Sequence, residues 1–298
     1  GTRSARSSRR QPGTRRTGRA RGVTGLPLAL LAFGPQHIGA AVALFSMSNL
    51  IHFSIGSRIT SAHARTLDLL RSPNGARERQ LFLGEDFTVI DRDQGHAFGF
   101  AAKDGYCGWL PEQVLEKSPP VTHWVASSGT HLYAQPKASS QNLGALPMGA
   151  RVSVLDQTGS YAQTTQGFVP ASHLLPLGTY LTDPVAVAET FLHSPYLWGG
   201  NSRAGLDCSG LAQIVHHACG ITLPGDADLQ EAAGLVVQGE FQRGDLLFWK
   251  GHIALAVDSE RLIHANGHTM SVAYEGIAEA IDRIEQAEGA PLRSHRRL

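Results

Sequence analysis

Cysteine is scarce in this chain. Cys107, Cys208 and Cys219 are the three in 298 residues, an odd and widely spaced set with no CxxC pair. That excludes a disulfide framework and a structural zinc site built from thiolates. Acidic residues are missing from the first 22 positions, which carry eight arginines. Without that arm, 18 basic side chains face 25 acidic ones, so residues 23–298 carry −7 behind an overall charge of +1. An acidic body without a basic stripe gives nucleic acid no platform. No uninterrupted apolar run reaches 18 residues, which argues against a spanning helix. Charged residues make up 17% and apolar ones 42%, the proportions of a globular chain rather than a disordered one. Glycine is abundant, with 33 residues beside 15 prolines, and this points to many turns and a β-rich portion. The length suits two or three small domains.

The first 46 residues stand apart. Residues 3–21 are rich in Arg, Ser, Thr and Gly without an apolar pattern, and are expected to be disordered. Residues 26–45 are apolar but broken by Gly34, Pro35 and His37. One reading is a secretory signal ending at Ala41-Val42-Ala43. The other, preferred here, is a start at Met47, the first methionine, with residues 1–46 upstream of it. A Met47 start and free thiols point to a cytoplasmic protein; the signal would point to export.

Residues 62–117 and 121–176 form a degenerate repeat. The first copy carries Leu69, Pro73, Gly84 and Val89-Ile90, and closes on Gly108-Trp109-Leu110-Pro111. The second carries Leu132, Pro136, Gly149 and Val154-Leu155, and closes on Gly167-Phe168-Val169-Pro170. Short β-branched and aromatic runs divided by Gly, Asp and Asn read as small barrels. The copies differ by six residues between central and closing glycine, which predicts a loop insertion around Ala101 to Gly105. The closing Gly-aromatic-aliphatic-Pro pattern resembles that of bacterial SH3 domains. Such modules also serve as structural units with no ligand of their own. Ser118-Pro119-Pro120 and the stretch from Pro176 to Pro184 read as boundaries.

Beyond the second boundary the pattern changes. Asp183 and Pro184 open a helix carrying Val185, Ala188 and Phe191-Leu192. Leu211, Ala212, Ile214, Val215 and Ala218, stopped by Gly220, describe another. Cys208 falls in the first turn of that helix, with Asp207 as its cap. There, unpaired N–H groups and the dipole are expected to lower a thiol pKa. Cys107 and Cys219 read as small buried apolar residues. Three strands follow, at 244–249, 251–257 and 261–266. With the three-residue loop Asp258-Ser259-Glu260, Val257 pairs with Arg261 and Ala254 with His264. His252 then lies diagonal to His264 on one face. A two-residue loop would separate them. The useful register gives a chain of nucleophile, base and orienting group: Cys208, His252 and His264. The same three could ligate zinc, although nothing else singles out a metal, or could be unrelated core residues.

Gly205-Leu206-Asp207-Cys208-Ser209-Gly210-Leu211, Tyr196, Gly251-His252-Ile253 and Leu262-Ile263-His264-Ala265 resemble the signature blocks of the NlpC/P60 cysteine peptidases. The resemblance covers residues 183–284. It implies an α+β papain-like catalytic domain, here preceded by two small all-β SH3-like barrels and a disordered amino-terminal arm. With SH3-like modules ahead, the chain resembles the γ-D-glutamyl-L-diamino acid endopeptidases, which cut bacterial cell-wall stem peptides. The resemblance implies Cys208 as nucleophile, His252 as base and His264 as third polar member. It implies a place for Tyr196 near the oxyanion, and a substrate-binding set of Asp207, Ser209, Asp226 and Tyr106. Asp207 and Tyr106 would gather the free amine of an L-Ala residue. The family carries Pro-Arg-Asp where this chain has Pro224-Gly225-Asp226, so a contact made by that arginine is missing or supplied elsewhere. Expected partners are murein stem peptides or peptidoglycan fragments, with no nucleic acid, spanning segment, cofactor or metal. Two other readings keep the same residues: an inactive peptidoglycan-binding protein, and an amidase or acyltransferase on the same fold.

Overall fold

Short strands dominate the described residues up to Pro176. The structure, a computed structural model, describes residues 57–59, 65–116 and 120–298. The expectations for residues 1–46, and the Ser118-Pro119 part of the first boundary, lie outside these residues. In the first module, Thr66–Leu70 turns Leu67 and Leu69 inward in a period of two. It joins a seven-stranded sheet ordered Arg77–Phe82, Thr66–Leu70, Cys107–Pro111, His96–Ala101, Asp86–Asp93, Ser57–Ile59 and Leu115–Glu116. Leu67, Leu69, Leu81, Phe87, Ala101, Leu110 and Val114 form its core.

The second module holds a five-stranded sheet and a three-stranded one. Asn142–Pro147, Gly129–Tyr133, Gly167–Pro170, Tyr161–Thr164 and Val154–Thr158 form the first; Arg151–Val152, His123–Val125 and Leu174–Pro176 form the second. The repeat has a physical basis. Gly84 and Gly149 both take positive φ, 78° and 85°, a conformation that costs glycine little and other residues more. Pro111 and Pro170 each lead into a single 3-10 turn, Glu112–Val114 and Ala171–His173. The link between His96–Ala101 and Cys107–Pro111 is longer than the one from Thr164 to Gly167, and the His96–Ala101 strand is itself longer than Tyr161–Thr164, so the extra residues are shared between loop and strand.

The carboxy-terminal part is built on a six-stranded antiparallel sheet. Its order is Leu235–Val236, Ser294–Arg297, Leu246–Trp249, His252–Ala256, Arg261–Asn266 and Ser271–Gly276. The Cys208–Ala218 helix packs with Ile253, Leu255, Ile263 and Ala265 in one core, which also takes in Leu132, Leu146 and Val169 of the second module. The Ile277–Glu288 helix packs with Leu247, Ala254, Ala256 and Leu262 in another. The Pro184–Glu189 helix is capped as expected, with Asp183 accepting from the Val185 and Ala186 N–H groups, but it ends before Phe191. Ser294–Arg297 lies past residue 284 and still belongs to the sheet.

Candidate active site

Cys208 opens its helix directly after Asp207, whose carboxylate accepts from the Gly210 N–H at 2.6 Å. The thiol is buried. It approaches the Gly251 carbonyl at 3.9 Å and receives the Ile253 N–H, so it rests against the backbone on both sides of His252. It makes no hydrogen bond to the His252 ring. Burial, reinforced by the Asp207 carboxylate, pushes the thiol up to about 12, against the pull of the Ile253 N–H and Arg79. The expected lowering of this thiol is therefore absent in the resting structure. The helix end is offset by a carboxylate one residue away and by the loss of water. Cys107 and Cys219 are also raised by burial, each to about 11.

The two histidines meet as the strand register requires. Leu255 pairs with Ile263 and Ala256 with Leu262, which is the register of the three-residue loop. His252 Nε2 lies 2.9 Å from His264 Nδ1, with ring centroids 5.1 Å apart. Burial pushes His252 down to about 3, helped by His264 and Arg283. Burial also lowers His264, opposed by Glu275. Both rings are thus neutral at ordinary pH. Among the described residues, no group of three His, Cys, Asp or Glu side chains is placed to hold a metal.

Arg79 reshapes the substrate-binding set. It projects from the Arg77–Phe82 strand of the first module into the wall beside Cys208, where its side chain is 6% exposed. Its Nη1 bonds both Asp207 oxygens at 2.9 Å, and its Nη2 bonds Ser209 Oγ at 2.6 Å and Asp226 Oδ1 at 2.8 Å. Burial disfavours its charge, but Asp207 and Asp226 outweigh that and hold it protonated. The Tyr106 ring lies 5.7 Å from the guanidinium, and Tyr106 Oη reaches Asp226 Oδ1 at 3.5 Å.

Two members of the substrate-binding set are already engaged within this wall. Asp207 does not present a free carboxylate to a ligand: Arg79, Ser209, Gly210 and the Gly199 N–H at 2.8 Å occupy both its oxygens. Ser209, 4% exposed, is likewise committed to Arg79 and Asp207. The open members are Asp226, with 23% of its side chain exposed, and the part-buried Tyr106. Tyr196 stands close enough to Cys208 for the thiol, after burial, to raise its phenol. The missing arginine at position 225 is also accounted for. A Cβ on Gly225 would lie 2.6 Å from Tyr106 Cδ2 and 3.2 Å from Arg79 Nε. Glycine there lets the tyrosine and an arginine from another module come in.

Three residues of this site escaped the sequence: Arg79, Glu275 and Arg283. Arg79 left one trace, a charge sharing strand parity with the buried Leu81. Glu275 and Arg283 left none.

Comparison with known proteins gives the family and the fold that this chain resembles. Residues 193–283 match the NlpC/P60 family, and residues 69–115 match the bacterial dipeptidyl-peptidase SH3 domain. A protein of Bacillus cereus named gamma-D-glutamyl-L-lysine dipeptidyl-peptidase is 27% identical over 223 residues, 63% of this chain and 67% of that protein. One of the same name in Bacillus subtilis is 30% identical over 200 residues, 59% of this chain and 66% of that protein. The chain thus spans about two thirds of the length of these relatives. A crystal structure of an NlpC/P60 family protein from Bacillus cereus superposes with a TM-score of 0.70. The match has 21% identity, covers 82% of this chain and 99% of that one, and establishes a shared fold.

Proposed function

We propose that this chain, an NlpC/P60 family member through residues 193–283 and hence a cysteine-type hydrolase, cleaves γ-D-glutamyl-L-diamino acid bonds of cell-wall stem peptides. The observation that carries the reading is the Cys208 thiol lying against the backbone around His252, whose ring is in turn held by His264 at 2.9 Å. Cys208 Sγ attacks the scissile carbonyl while His252 takes the thiol proton. The tetrahedral oxyanion forms beside the open N–H end of the Cys208–Ala218 helix, near Tyr196. His252 then returns its proton to the leaving diamino-acid amine, and a thioester remains on Cys208. Water, deprotonated by His252, releases the dipeptide.

The amine end of the substrate falls to the first module. Asp207 and Asp226 carry two negative charges against one guanidinium, which leaves one unit of charge to meet an ammonium. Asp226 and Tyr106 are the groups with room to do so. Residues 121–176 are read as a second SH3-like module with a supporting role. Its positive-φ glycine, closing strand and 3-10 turn repeat those of the first, and its core runs into that of the catalytic domain.

The test is incubation of L-Ala-γ-D-Glu-diamino acid with the protein and with Cys208→Ala, followed by mass spectrometry. Release of L-Ala-D-Glu by the first and roughly 10⁴-fold less by the second is expected. Equal release by both would remove Cys208 from the reaction.

A further inference from the structure

A proton must sit between His252 Nε2 and His264 Nδ1, and its owner decides which nitrogen of His252 is left as base. The far side of His264 settles the choice. Its Nε2 lies 3.1 Å from Glu275 Oε2, an ion-pair approach off the best hydrogen-bond line, and the His264 side chain is fully buried. Among the described residues no other polar atom satisfies that nitrogen. Glu275 is gripped by Arg283, whose Nε reaches Oε1 at 2.7 Å and whose Nη2 reaches Oε2 at 2.9 Å. Burial favours a neutral Glu275, but the bonds from Arg283, with His264 close by, outweigh it and hold the carboxyl down to about 2.

The pieces come from three elements. Glu275 pairs with Leu262 across the Arg261–Asn266 and Ser271–Gly276 strands, one step diagonal to the His264–Ala273 pair. Arg283 comes from the Ile277–Glu288 helix, which covers the sheet face of Ala254, Ala256 and Leu262. The other charged or titratable groups bearing on the pair are His268, which disfavours charge on His264, and Arg283 itself, which acts on both rings. Trp249 stacks near His252, with centroids 5.7 Å apart, and adds no charge.

A bare lone pair on His264 Nε2 would point at a carboxylate and be repelled; an N–H there is attracted. We propose that Glu275, fixed by Arg283, is a positioning residue that sets the tautomer of both rings. His264 carries its proton on Nε2 and accepts at Nδ1 from His252 Nε2–H. His252 Nδ1 is left bare as the atom that takes the Cys208 proton. Removing the carboxylate while Arg283 stays inverts the preference. Guanidinium N–H groups then favour a bare Nε2 on His264, its proton moves to Nδ1, and His252 is left protonated at Nδ1, unable to act as base. The inference deepens the reading of His252 as the base and rests on it.

The tautomers can be read directly by ¹⁵N NMR of the full chain labelled at histidine, without substrate. Both rings are expected to show Nε2–H in the unaltered protein. In Glu275→Leu, His264 shifts to Nδ1–H, and kcat on the stem tripeptide falls roughly tenfold to a hundredfold with little change in KM. Glu275→Gln, whose carbonyl oxygen still accepts, regains the Nε2–H signal and more of kcat than the leucine variant. A His264 protonated at Nδ1 in the unaltered protein overturns the proposal, and that spectrum requires no variant to fold. So does a Glu275→Leu protein with unchanged spectrum and unchanged kcat. An Nε2–H spectrum in a protein that hydrolyses nothing rejects the proposed function and not the tautomer. An Nδ1–H spectrum in an active protein does the reverse.

Discussion

Two opposing effects meet at Cys208, and burial wins. The helix start favours a thiolate, but loss of water and the Asp207 carboxylate push the thiol up to about 12, while burial drives His252 down to about 3. The resting groups are a neutral thiol and a neutral imidazole, and in the proposed mechanism the proton would move as the substrate is attacked. Cys208 should therefore react with iodoacetamide at about pH 6 no faster than Cys219, gaining rate only in alkali. Peptide mapping of labelled protein checks this, and rapid selective labelling of Cys208 at that pH would show a preformed thiolate. The sign for catalysis follows. The competent state has His252 unprotonated, which holds above its depressed value, and the thiol protonated, which holds below its raised one. Between about pH 5 and about pH 9, kcat/KM should be flat once titration of the substrate is allowed for. His252→Ala should lower kcat roughly 10² to 10⁴-fold; His264→Ala should lower it less, and His264→Asn, which keeps a hydrogen bond, least. Cys208, His252 and His264 were legible because a helix start and a three-residue loop are local signals. Arg79 was not, because its partner Asp207 lies 128 positions away.

At the scale of elements, the last strand shows how a charge can decide structure. Ser294-His295-Arg296-Arg297 has no β-branched residue and no Phe, Tyr or Trp, yet it pairs with Leu246–Trp249. The fully buried Asp245 supplies the reason. It accepts from His295 Nε2 at 2.6 Å and from Arg297 Nε and Nη2 at 2.6 and 2.7 Å. Strand propensity could not reveal a strand held by an ion pair 50 residues away in sequence. Burial alone would raise Asp245, but Arg297 and His295 hold it at about 2. A carboxyl depressed in the folded state stabilises fully above its unfolded value of about 4, and loses that contribution as pH falls toward about 2. Asp245→Asn should cost about 3 kcal/mol near neutral pH and flatten the acid limb of the stability curve. Urea unfolding at about pH 6 and about pH 3 measures both; an unchanged acid limb would mean that another carboxyl controls it.

Across the whole molecule, one guanidinium ties the first module to the catalytic domain. Arg79→Met leaves Asp207 buried without its counter-ion and should cost about 3–5 kcal/mol, seen as a lower Tm and faster proteolytic separation of the module. Glu275 and Arg283 are a smaller case of the same limit: the Ser271–Gly276 strand and the Ile277–Glu288 helix that carry them were not read from the sequence, and only their packing brings the charges together. In the proposed reading the module does more than brace: Tyr106 and Arg79, both on Asp226, would close one end of the cleft, and the substrate would begin with a free amine there. Asp226→Asn should raise KM and lower kcat/KM roughly tenfold to a hundredfold by removing a charged partner. The direct test compares kcat/KM on L-Ala-γ-D-Glu-diamino acid with kcat/KM on the same peptide acetylated at its amine. A preference of at least about a hundredfold for the free amine is expected, because the acetyl group sets a neutral amide where an ammonium would meet the Asp226 carboxylate. Equal cleavage of the two peptides would mean that the first module does not close the cleft.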